Sequence, residues 1–245
     1  MEILIFFVAH WYLSLFAQSF FHHRYSAHQM FTMNKFTEKI FFVFSFIVQG
    51  SSYMSPKVYG AMHRMHHAHA DTEKDPHSPK YSNNLIKLMV KTYQQFKGVQ
   101  DKTIELKDTF YKNLPDWKWF DKIAGSFLVK ILWAAAYILF YVKFATAWWM
   151  FLLIPIHILM GPVHGTIVNW FAHKIGYTNH DIDNTSKNLM PFDPFMLGEG
   201  YHNNHHAHGG RANFAEKWYE IDPIYPIIRL FDWIGIIKLN PVALK

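Results

Sequence analysis

An apolar run near the start of the chain predicts its first membrane element. Residues 3–21 are almost uniformly apolar over 19 positions, close to the ~20 residues that a helix needs to cross a hydrocarbon core of ~30 Å. No Lys or Arg precedes the run and no small-residue cleavage motif follows it, which argues against a signal peptide. His10, Ser14 and Gln18 recur every four residues and predict one polar face turned toward other helices. We predict a retained span that starts outside the cytoplasm.

The second apolar stretch is too short to cross a bilayer. Residues 40–48 number nine, and Gln49, Gly50, Ser51 and Ser52 interrupt the apolar pattern after them. The pattern is typical of a helix that lies at the membrane interface. The consequence is topological, because the polar segments on either side of such a helix stay on the same side of the membrane.

The remaining pattern predicts a polar region followed by a membrane hairpin. Residues 81–122 are polar and lysine-rich, with helical spacing of apolar positions in residues 85–96. Residues 126–142 and 147–171 are again apolar enough to span, and a short turn joins them. Pro155 and Pro162 are expected to kink the second arm. The chain is polar in character from about residue 172 to its end.

Composition and charge place the polar segments on one side of the membrane. The chain has 245 residues, 51% of them hydrophobic, and a mean hydropathy of -0.04, so a sizeable water-facing part accompanies the spans. Of its 24 Lys and Arg, 15 lie between Arg24 and Lys122, seven lie from Lys174 onward, and two lie between these regions. The positive-inside rule assigns both basic regions to the cytoplasm. The net charge of +6 does not indicate a nucleic-acid partner, since no basic stripe with interleaved aromatics occurs outside the apolar segments.

These observations predict an all-α integral membrane protein that forms a single domain over residues 1–245. About three transmembrane helices (residues 3–21, 126–142 and 147–171) are accompanied by one interfacial helix. A cytoplasmic helical cap is expected from residues 22–122 and 172–245.

Three histidine clusters carry the candidate chemistry, and each lies beside an apolar segment. The first box contains His23 and His28, the second box contains His63, His66 and His67, and the third box contains His202, His205 and His206. Neutral imidazole is the commonest protein ligand of transition metals. The chain has no cysteine, which excludes disulfides, iron–sulfur clusters and thiolate zinc sites.

The spacing within the boxes predicts shared metal sites. Positions i, i+3 and i+4 lie on one helix face, so the members of the second box can point into one volume, as can those of the third. The five-residue step from His23 to His28 turns by about 140° on an ideal helix, so these two are expected to serve different metals or to lie where a helix ends. Asn169 and His173 add a further i, i+4 pair at the cytoplasmic end of the last span.

Nine histidines exceed the needs of one metal ion and suit two. Imidazole suits zinc, copper, iron and nickel alike, so ligand type does not select the metal. The boxes contain little carboxylate and therefore differ from the Glu-x-x-His sites of soluble di-iron bundles. An H-E-x-x-H motif of a zinc hydrolase does not occur either.

The order of these motifs resembles the membrane fatty acid desaturases, and most closely their acyl-CoA desaturase branch, which includes stearoyl-CoA desaturase-like proteins. The resemblance rests on H-x4-H, H-x2-H-H, an N-x3-H pair and a last H-x2-H-H within residues 198–206, in that order. The segment from His69 to His77, with its Asp71, Asp75 and Pro76, is similar to the continuation of the second box in that branch. The similarity extends over roughly residues 3 to 235.

The resemblance implies a two-iron site and an oxygen-dependent reaction. By this similarity, Asn169 would act through a water, and the metal ligands would be His23, His28, His63, His66, His67, His173, His202, His205 and His206. O2 would be the co-substrate in the removal of two hydrogens from an unactivated fatty acyl chain, carried as acyl-CoA or as acyl-lipid. No fused haem-binding segment is recognised in the sequence, so a separate electron carrier of the ferredoxin, flavodoxin or cytochrome b5 type is expected. Arg211, just beyond the third box, is a weak candidate for contact with an anionic head group, and a solvated arginine is the alternative.

Two other functions fit parts of the pattern. Related histidine-box proteins hydroxylate the same kind of C–H bond, and the sequence does not separate a fatty acyl or alkyl hydroxylase from a desaturase. A membrane protein for metal transport or storage is the other alternative. Such proteins usually bind metal through flexible histidine runs or through ligands at mid-membrane, whereas these boxes are predicted to lie together at one membrane face.

Overall fold

The computed structural model describes residues 1–82 and 84–244. Within these ranges the regular structure is helical, apart from one short antiparallel pair in which β1 (Phe31–Thr32) faces β2 (Lys238–Leu239). The predicted all-α class is therefore confirmed. The α-helices are α1 (Glu2–Phe16), α2 (Lys35–Gln49), α3 (Pro56–His69), α4 (Leu85–Gln100), α5 (Asp108–Tyr111), α6 (Lys118–Ala124), α7 (Phe127–Phe144), α8 (Ile154–Ile158), α9 (Met160–Asn169), α10 (His202–Ala207) and α11 (Ile224–Trp233). Short 3-10 turns cover Gly50–Ser52, Pro79–Tyr81, Trp148–Leu153, Phe171–His173 and Pro241–Leu244.

The first helix is longer than the predicted span and changes its geometry along its length. α1 continues directly into a π-helix over Ala17–Ala27, and together they form a 26-residue helix with a mean hydropathy of 1.6 in its most apolar window. The backbone N–H of His28 donates to the carbonyl of His23 at 3.1 Å, which is the i to i+5 bond of a π-helix. The helix is long enough to cross a bilayer and carries the first box at its far end.

α2 contains the second apolar stretch and is too short to cross a hydrocarbon core. Its 15 residues rise about 22 Å, against a core of ~30 Å. The Asn34 side chain accepts a hydrogen bond from the Thr37 N–H at the start of the helix. One face buries Phe42 and Ser45 and the other exposes Phe36 and Ile47, which is the two-sided character of an interfacial helix.

The predicted hairpin contains one straight helix and one bent arm. α7 has a mean hydropathy of 1.7, and most of its side chains are exposed. The returning arm consists of Trp148–Ile158 and Met160–His173, which meet at an angle of 71°. Two helices of the described chain are thus long and apolar enough to cross a membrane, or three if the bent pair is one span.

The bend lies between the two prolines that were expected to cause kinks. Pro155 and Pro162 both stand in the first turn of their helices, α8 and α9, where the missing N–H has no intrahelical partner in any case. The break falls at Leu159, whose backbone ends one helix and begins the next. The predicted bend in the second arm is therefore present, but it is a break of 71° at Leu159 between two helices.

An aromatic core joins the π-helix to α2 and α11. Phe20 and Phe21 of the π-helix pack with Phe41 and Phe42 of α2, with ring centroids 4.9 to 5.7 Å apart. Ile224 and Ile228 of α11 belong to the same buried cluster. Because rings packed at these distances resist displacement, this core fixes the segment that carries the first box.

Candidate metal centre

The structure brings nine of the predicted ligands together in two adjoining groups. The larger group contains five imidazoles, from His23, His28, His63, His67 and His205, and the smaller contains four, from His66, His173, His202 and His206. Within each group, one ring nitrogen of every member lies within 4.8 Å of those of all the others. The Nε2 atoms that approach each other most closely are 2.8 to 3.2 Å apart.

The π-helix explains why the first box serves a single group. Each π turn takes about one residue more than an α turn, so residues five apart return to nearly the same face. His23 lies in the π-helix and His28 ends it, with their ring centroids 5.0 Å apart. The expectation of two different metals for this pair assumed an ideal α-helix, and the structure instead places both imidazoles in one group. The alternative expectation, a position at a helix end, is confirmed for His28.

α3 delivers the second box by packing tightly against the π-helix. At Gly60 an added Cβ would lie 2.7 Å from Ser26 Oγ and 2.8 Å from Leu114 Cδ2, so a larger residue would displace these side chains. Arg64, on the same helix, donates from Nε to the Ala27 carbonyl at 2.7 Å and from NH2 to that of Ser26 at 3.2 Å. These bonds satisfy carbonyls at the end of the π-helix, which would otherwise have no helical donor.

The second and third boxes each divide between the two groups. His63 and His67 belong to the larger group and His66 to the smaller, while His205 belongs to the larger group and His202 and His206 to the smaller. Residues at i and i+4 share a face more closely than residues at i and i+3. One helical turn of each box therefore supplies ligands to both groups, so a displacement of either helix would affect both sites.

Asparagines fasten the short helix of the third box. Asn188 Oδ1 accepts from the backbone N–H of Asn203 at 3.0 Å and of Asn204 at 3.2 Å, which caps α10. The Asn204 side chain donates to the Phe214 carbonyl and to Glu220, both at 2.9 Å. A six-residue helix is not stable alone, so these side-chain bonds hold the three histidines in place.

Carboxylates orient two of the imidazoles from behind. His23 donates from Nδ1 to Glu199 Oε2 at 2.6 Å, and His66 donates from Nδ1 to Asp75 at 2.8 and 2.9 Å. A proton on Nδ1 leaves the lone pair of Nε2 facing the group, which is the arrangement seen around metal-binding histidines. All four side chains are buried.

His173 is oriented through a hydroxyl. Its Nδ1 donates to Thr185 Oγ1 at 3.1 Å, and that hydroxyl donates to Asp71 Oδ2 at 2.7 Å. The same carboxylate accepts the Thr185 backbone N–H at 2.6 Å, and Ser78 donates to its other oxygen. The loop that contains Thr185 is thereby fixed against the end of the second box.

A buried arginine completes the support of the first box. Arg24 donates to Glu199 Oε1 at 2.9 Å and to Asp222 Oδ2 at 2.6 Å, and it also contacts the Ser19 hydroxyl. Its guanidinium stacks over the Phe214 ring, 3.8 Å from the centroid. A fully buried cation is stable only with such partners, so Arg24 joins the π-helix, the third box segment and the residues before α11.

Burial keeps seven of the ligand imidazoles neutral. It lowers the pKa of His28, His63, His67, His202, His205 and His206 well below the ordinary value, and the neighbouring histidines lower it further. Burial and the nearby His66 lower the pKa of His173 to about 4, although Asp71 opposes this. Burial raises the pKa of Glu199, but attraction to His23 and Arg24 outweighs it and brings the pKa to about 2. Glu199 is therefore charged at neutral pH, while these seven imidazoles are free to coordinate.

The donor set fits two transition-metal ions. Ligand atoms bound at about 2.0–2.1 Å to one ion lie about 3 Å from each other, and the observed Nε2 separations of 2.8 to 3.2 Å match that spacing. The outward Nδ1 of His205 is buried without a hydrogen-bond partner in the described part of the chain. Nine imidazoles in two groups, three of them oriented by a carboxylate or a hydroxyl on the side away from the group, are a suitable donor set for two divalent metal ions.

Two further predicted residues are not histidines and are considered separately from these groups. Asn169 is the last residue of α9, four positions before His173, and its action through a water stays a prediction. Arg211 donates to Glu216 Oε1 at 3.2 Å and lines a cavity of about 390 Å³ with His208 and Val242. Arg211 is therefore neither fully solvated nor free, and its contact with a head group also stays a prediction.

The spacing of the histidines did not identify the residues that orient the ligands. Asp71 and Asp75 follow the second box, and Glu199 lies three residues before the third, but the spacing of the histidines gives none of them a role. Their signal was an acidic side chain within a few residues of a histidine box in a segment otherwise poor in carboxylates. Arg24 and Asp222, which lie 198 positions apart, offered no such signal.

Comparison with known proteins adds an independent observation. The chain matches the family model described as fatty acid desaturase over residues 2–231. It is 28% identical to the Delta-9 desaturase-like 5 protein of Arabidopsis thaliana over 227 residues, which cover 89% of this chain and 70% of that protein. It is 30% identical to an sn-1 stearoyl-lipid 9-desaturase of Synechocystis sp., covering 89% and 66%, and 28% identical to Delta-9 acyl-lipid desaturase 2 of Arabidopsis thaliana, covering 88% and 67%.

Proposed function

The chain belongs to the fatty acid desaturase family and is an oxidoreductase that desaturates fatty acyl chains, and on this premise we propose that two irons bound by its histidine boxes serve the reaction. The observation that carries the proposal is the convergence of nine imidazoles, from segments up to 182 positions apart, on two adjoining groups. Family membership also favours the enzyme over a metal transport or storage protein.

The two groups are assigned to the two ions. The five imidazoles of the larger group would hold one iron. The four imidazoles of the smaller group would hold the other, with Asn169 contributing through a water. Histidine alone does not select iron, and the support for iron is the redox chemistry that the family reaction requires.

The overall reaction defines what the bound metals supply. Two hydrogens leave adjacent methylene carbons, two electrons and two protons come from outside, and one O2 becomes two waters. Side-chain acids and bases cannot break an unactivated C–H bond, so the irons supply the activation of oxygen.

The protein's own residues orient the ligands and exclude water. Glu199 and Asp75 keep a proton on Nδ1 of His23 and His66, so that Nε2 faces the metal site in each. Thr185 and Asp71 do the same for His173. Because most ligand side chains are buried, bulk water is kept from the reacting carbons.

The substrate is proposed to be a long acyl chain desaturated at its ninth position, since the printed names of the relatives specify 9-desaturases. The sequence resemblance favoured acyl-CoA as the carrier, whereas two of the relatives are named for lipid-bound chains. Purified enzyme offered stearoyl-CoA or a stearoyl glycerolipid in separate assays would distinguish the two carriers.

The active-site cap is proposed to face the cytoplasm, in accordance with the distribution of Lys and Arg. The chain contains no cysteine, which permits a direct test with single introduced cysteines at the exposed positions Lys102 and Lys143. In intact cells, a membrane-impermeant maleimide should label Lys143→Cys and spare Lys102→Cys. The reverse pattern would contradict the orientation, and equal labelling would contradict the hairpin.

Electrons are proposed to come from a separate carrier of the ferredoxin, flavodoxin or cytochrome b5 type. The proposal is supported by the excess of lysine over acidic residues in the predicted cap, where residues 74–122 include Lys87, Lys91 and Lys97 on one helix. Such a surface attracts an acidic protein through long-range electrostatics.

The function is tested by lipid profiling of cells that express the wild type or His66→Ala. We expect a new monounsaturated fatty acid with the wild type and loss of that product with His66→Ala. His69→Ala is the matched control, because His69 lies on the same helix outside both metal groups, and it should retain activity. The purified wild type should contain about two irons per chain. His66→Ala should contain fewer, and His69→Ala should match the wild type.

Mass spectrometry of the product separates the remaining alternatives. A loss of two hydrogens indicates desaturation, and a gain of one oxygen would instead indicate a hydroxylase. Metal content that follows supply, without oxygen uptake in the presence of an acyl substrate, would favour the storage protein. Full activity of both His66→Ala and His205→Ala would refute the site.

A further inference from the structure

A third group of potential ligands lies outside the two histidine groups described above. His180, His208 and Glu216 each offer one ligand atom, and these atoms all lie within 4.8 Å of one another. His180 Nε2 is 2.6 Å from Glu216 Oε2, and His208 Nε2 is 3.7 Å from Glu216 Oε1. The two imidazole rings meet edge to face, with centroids 4.9 Å apart.

We propose that this group is a separate binding site for a divalent zinc-like cation. Two imidazoles and one carboxylate form a common ligand set for zinc, with a fourth position open to water. Ligand atoms bound to one tetrahedral zinc at about 2.0–2.2 Å lie about 3.3 Å apart. One ligand atom of each of the three residues already lies within 4.8 Å of the others, and His180 Nε2 is 2.6 Å from Glu216 Oε2, so small side-chain movements would bring the three ligand atoms to that spacing.

The first ligand is held by the third box rather than by a flexible loop. The backbone N–H of His180 donates to Asn203 Oδ1 at 2.9 Å, and the Asn203 amide donates back to the His180 carbonyl at 3.1 Å. Asn203 is 1% exposed, so His180 is fixed to a buried part of the cap. A ligand fixed in advance loses less conformational entropy when it binds a metal.

The backbone of Glu216, which carries the carboxylate ligand, is held by a hydrogen bond. The Glu216 N–H donates to Glu220 Oε2 at 2.7 Å, and Glu220 is in turn bound by Asn204 and Tyr177. The side chain of His208 is 50% exposed, which leaves an approach for an ion from solvent. The group therefore combines two fixed ligands with one accessible ligand.

Arg211 sets the affinity of this site. Its NH1 lies 3.2 Å from Glu216 Oε1, the oxygen that faces His208. In a zinc-bound state, Oε2 and the imidazoles would contact the ion while Arg211 retained Oε1. The guanidinium charge would repel a divalent cation, so the arginine should weaken binding without preventing it.

A bound zinc would link the segment that contains His180 to the segment that contains His208 and Glu216. Hydrogen bonds of asparagines, such as those between Asn203 and His180, already connect this region. His180 precedes Thr185, which orients His173, while His208 and Glu216 follow the third box. The proposal concerns the stability of this part of the cap and does not depend on which metals the histidine boxes bind.

The test uses the iron-loaded enzyme, purified with a tag that contains no histidine and titrated with ZnCl2 by calorimetry. We expect one zinc to bind per wild-type chain without release of iron, and the melting temperature to rise. His180→Ala and Glu216→Gln should each weaken this binding at least tenfold. Arg211→Gln should bind zinc more tightly than the wild type, and unchanged affinity would contradict the role given to Arg211.

Controls separate this site from the histidine boxes and from surface histidines. His69→Ala should bind zinc like the wild type, and titration with Co2+ should give a visible absorption band that Glu216→Gln lacks. Iron content verifies that each variant is folded. The proposal is overturned if the wild type binds no additional zinc, if zinc only displaces iron, or if His180→Ala and Glu216→Gln both retain wild-type affinity.

Discussion

His23 is held between a carboxylate and another ligand histidine. Its Nδ1 donates to Glu199 Oε2 at 2.6 Å, while its Nε2 lies 3.0 Å from Nε2 of His205. Glu199 belongs to the segment just before the third box, 176 positions away in sequence. One hydrogen bond therefore sets the tautomer of a first-box histidine and ties the first box to the third.

The substitution Glu199→Gln should impair metal binding at the larger group. The amide can no longer accept a charge-assisted bond from His23, and it leaves Arg24 with only Asp222 as a charged partner. Loss of such an orienting carboxylate costs about 10- to 100-fold in metal affinity or activity. Iron content and turnover of purified enzyme measure this. Glu105→Gln, at an exposed position, is the matched control, and equal behaviour of the two variants would contradict the role of Glu199.

The substitution Gly60→Ala should strain the contact between α3 and the π-helix. Its Cβ would lie 2.7 Å from Ser26 Oγ and 2.8 Å from Leu114 Cδ2, so these side chains or the helices that carry them must move, at a cost of about 1–3 kcal/mol. We expect a lower melting temperature in detergent and a reduced iron content, because the second box moves with α3. Gly165→Ala has its nearest neighbouring atom at 3.9 Å and should behave like the wild type. A Gly60→Ala enzyme with wild-type stability and iron content would show that the approach is not restrictive.

The metal-free protein should lose stability as the pH falls below about 6.5. Burial lowers the pKa of His173 to about 4 and of His77 to about 3, so in this pH range the unfolded chain binds protons that the folded chain does not. Stability is then full above the unfolded pKa of about 6.5 and declines toward pH 4. Glu199 and Asp75, whose pKa is about 2 in each case, remain charged when folded and add to the loss only below about pH 4.5.

Thermal unfolding of chelator-treated protein between pH 7.5 and 5 measures this decline. Iron-loaded protein at the same pH values is the control and should be less sensitive, because coordinated imidazoles resist protonation. A melting temperature of the metal-free protein that does not change over this range would contradict the neutral state of the buried histidines.

Turnover at limiting electron carrier should fall as salt is added. The net charge of +6 favours encounter with an acidic carrier, and ions screen this attraction over a Debye length of about 10 Å at 0.1 M salt. Turnover at saturating carrier should change little, since encounter no longer limits the rate. Salt-independent rates at limiting carrier would contradict electrostatic docking.

Much of the candidate site follows from local sequence. The boxes are identified by spacing within a few residues, and the short stretch of residues 40–48 already placed the first two boxes on one side of the predicted membrane plane. Hydropathy likewise anticipated the helices α1 and α7, because the length of an apolar run is a local property. The sequence does not show which histidines share a group. Whether His23 and His28 face the same group, for example, depends on whether their helix has α or π geometry.

The sequence by itself determined the helical class, the apolar segments and the set of histidines, because each of these depends on residues that are near neighbours in the chain. The tertiary structure decided which imidazoles share a group, which side chains orient them, and where the last apolar segment bends. Those features depend on contacts across long separations, such as Arg24 with Asp222 and His23 with Glu199. The energy of such a contact depends on burial and on distance, and neither is fixed until the helices have packed.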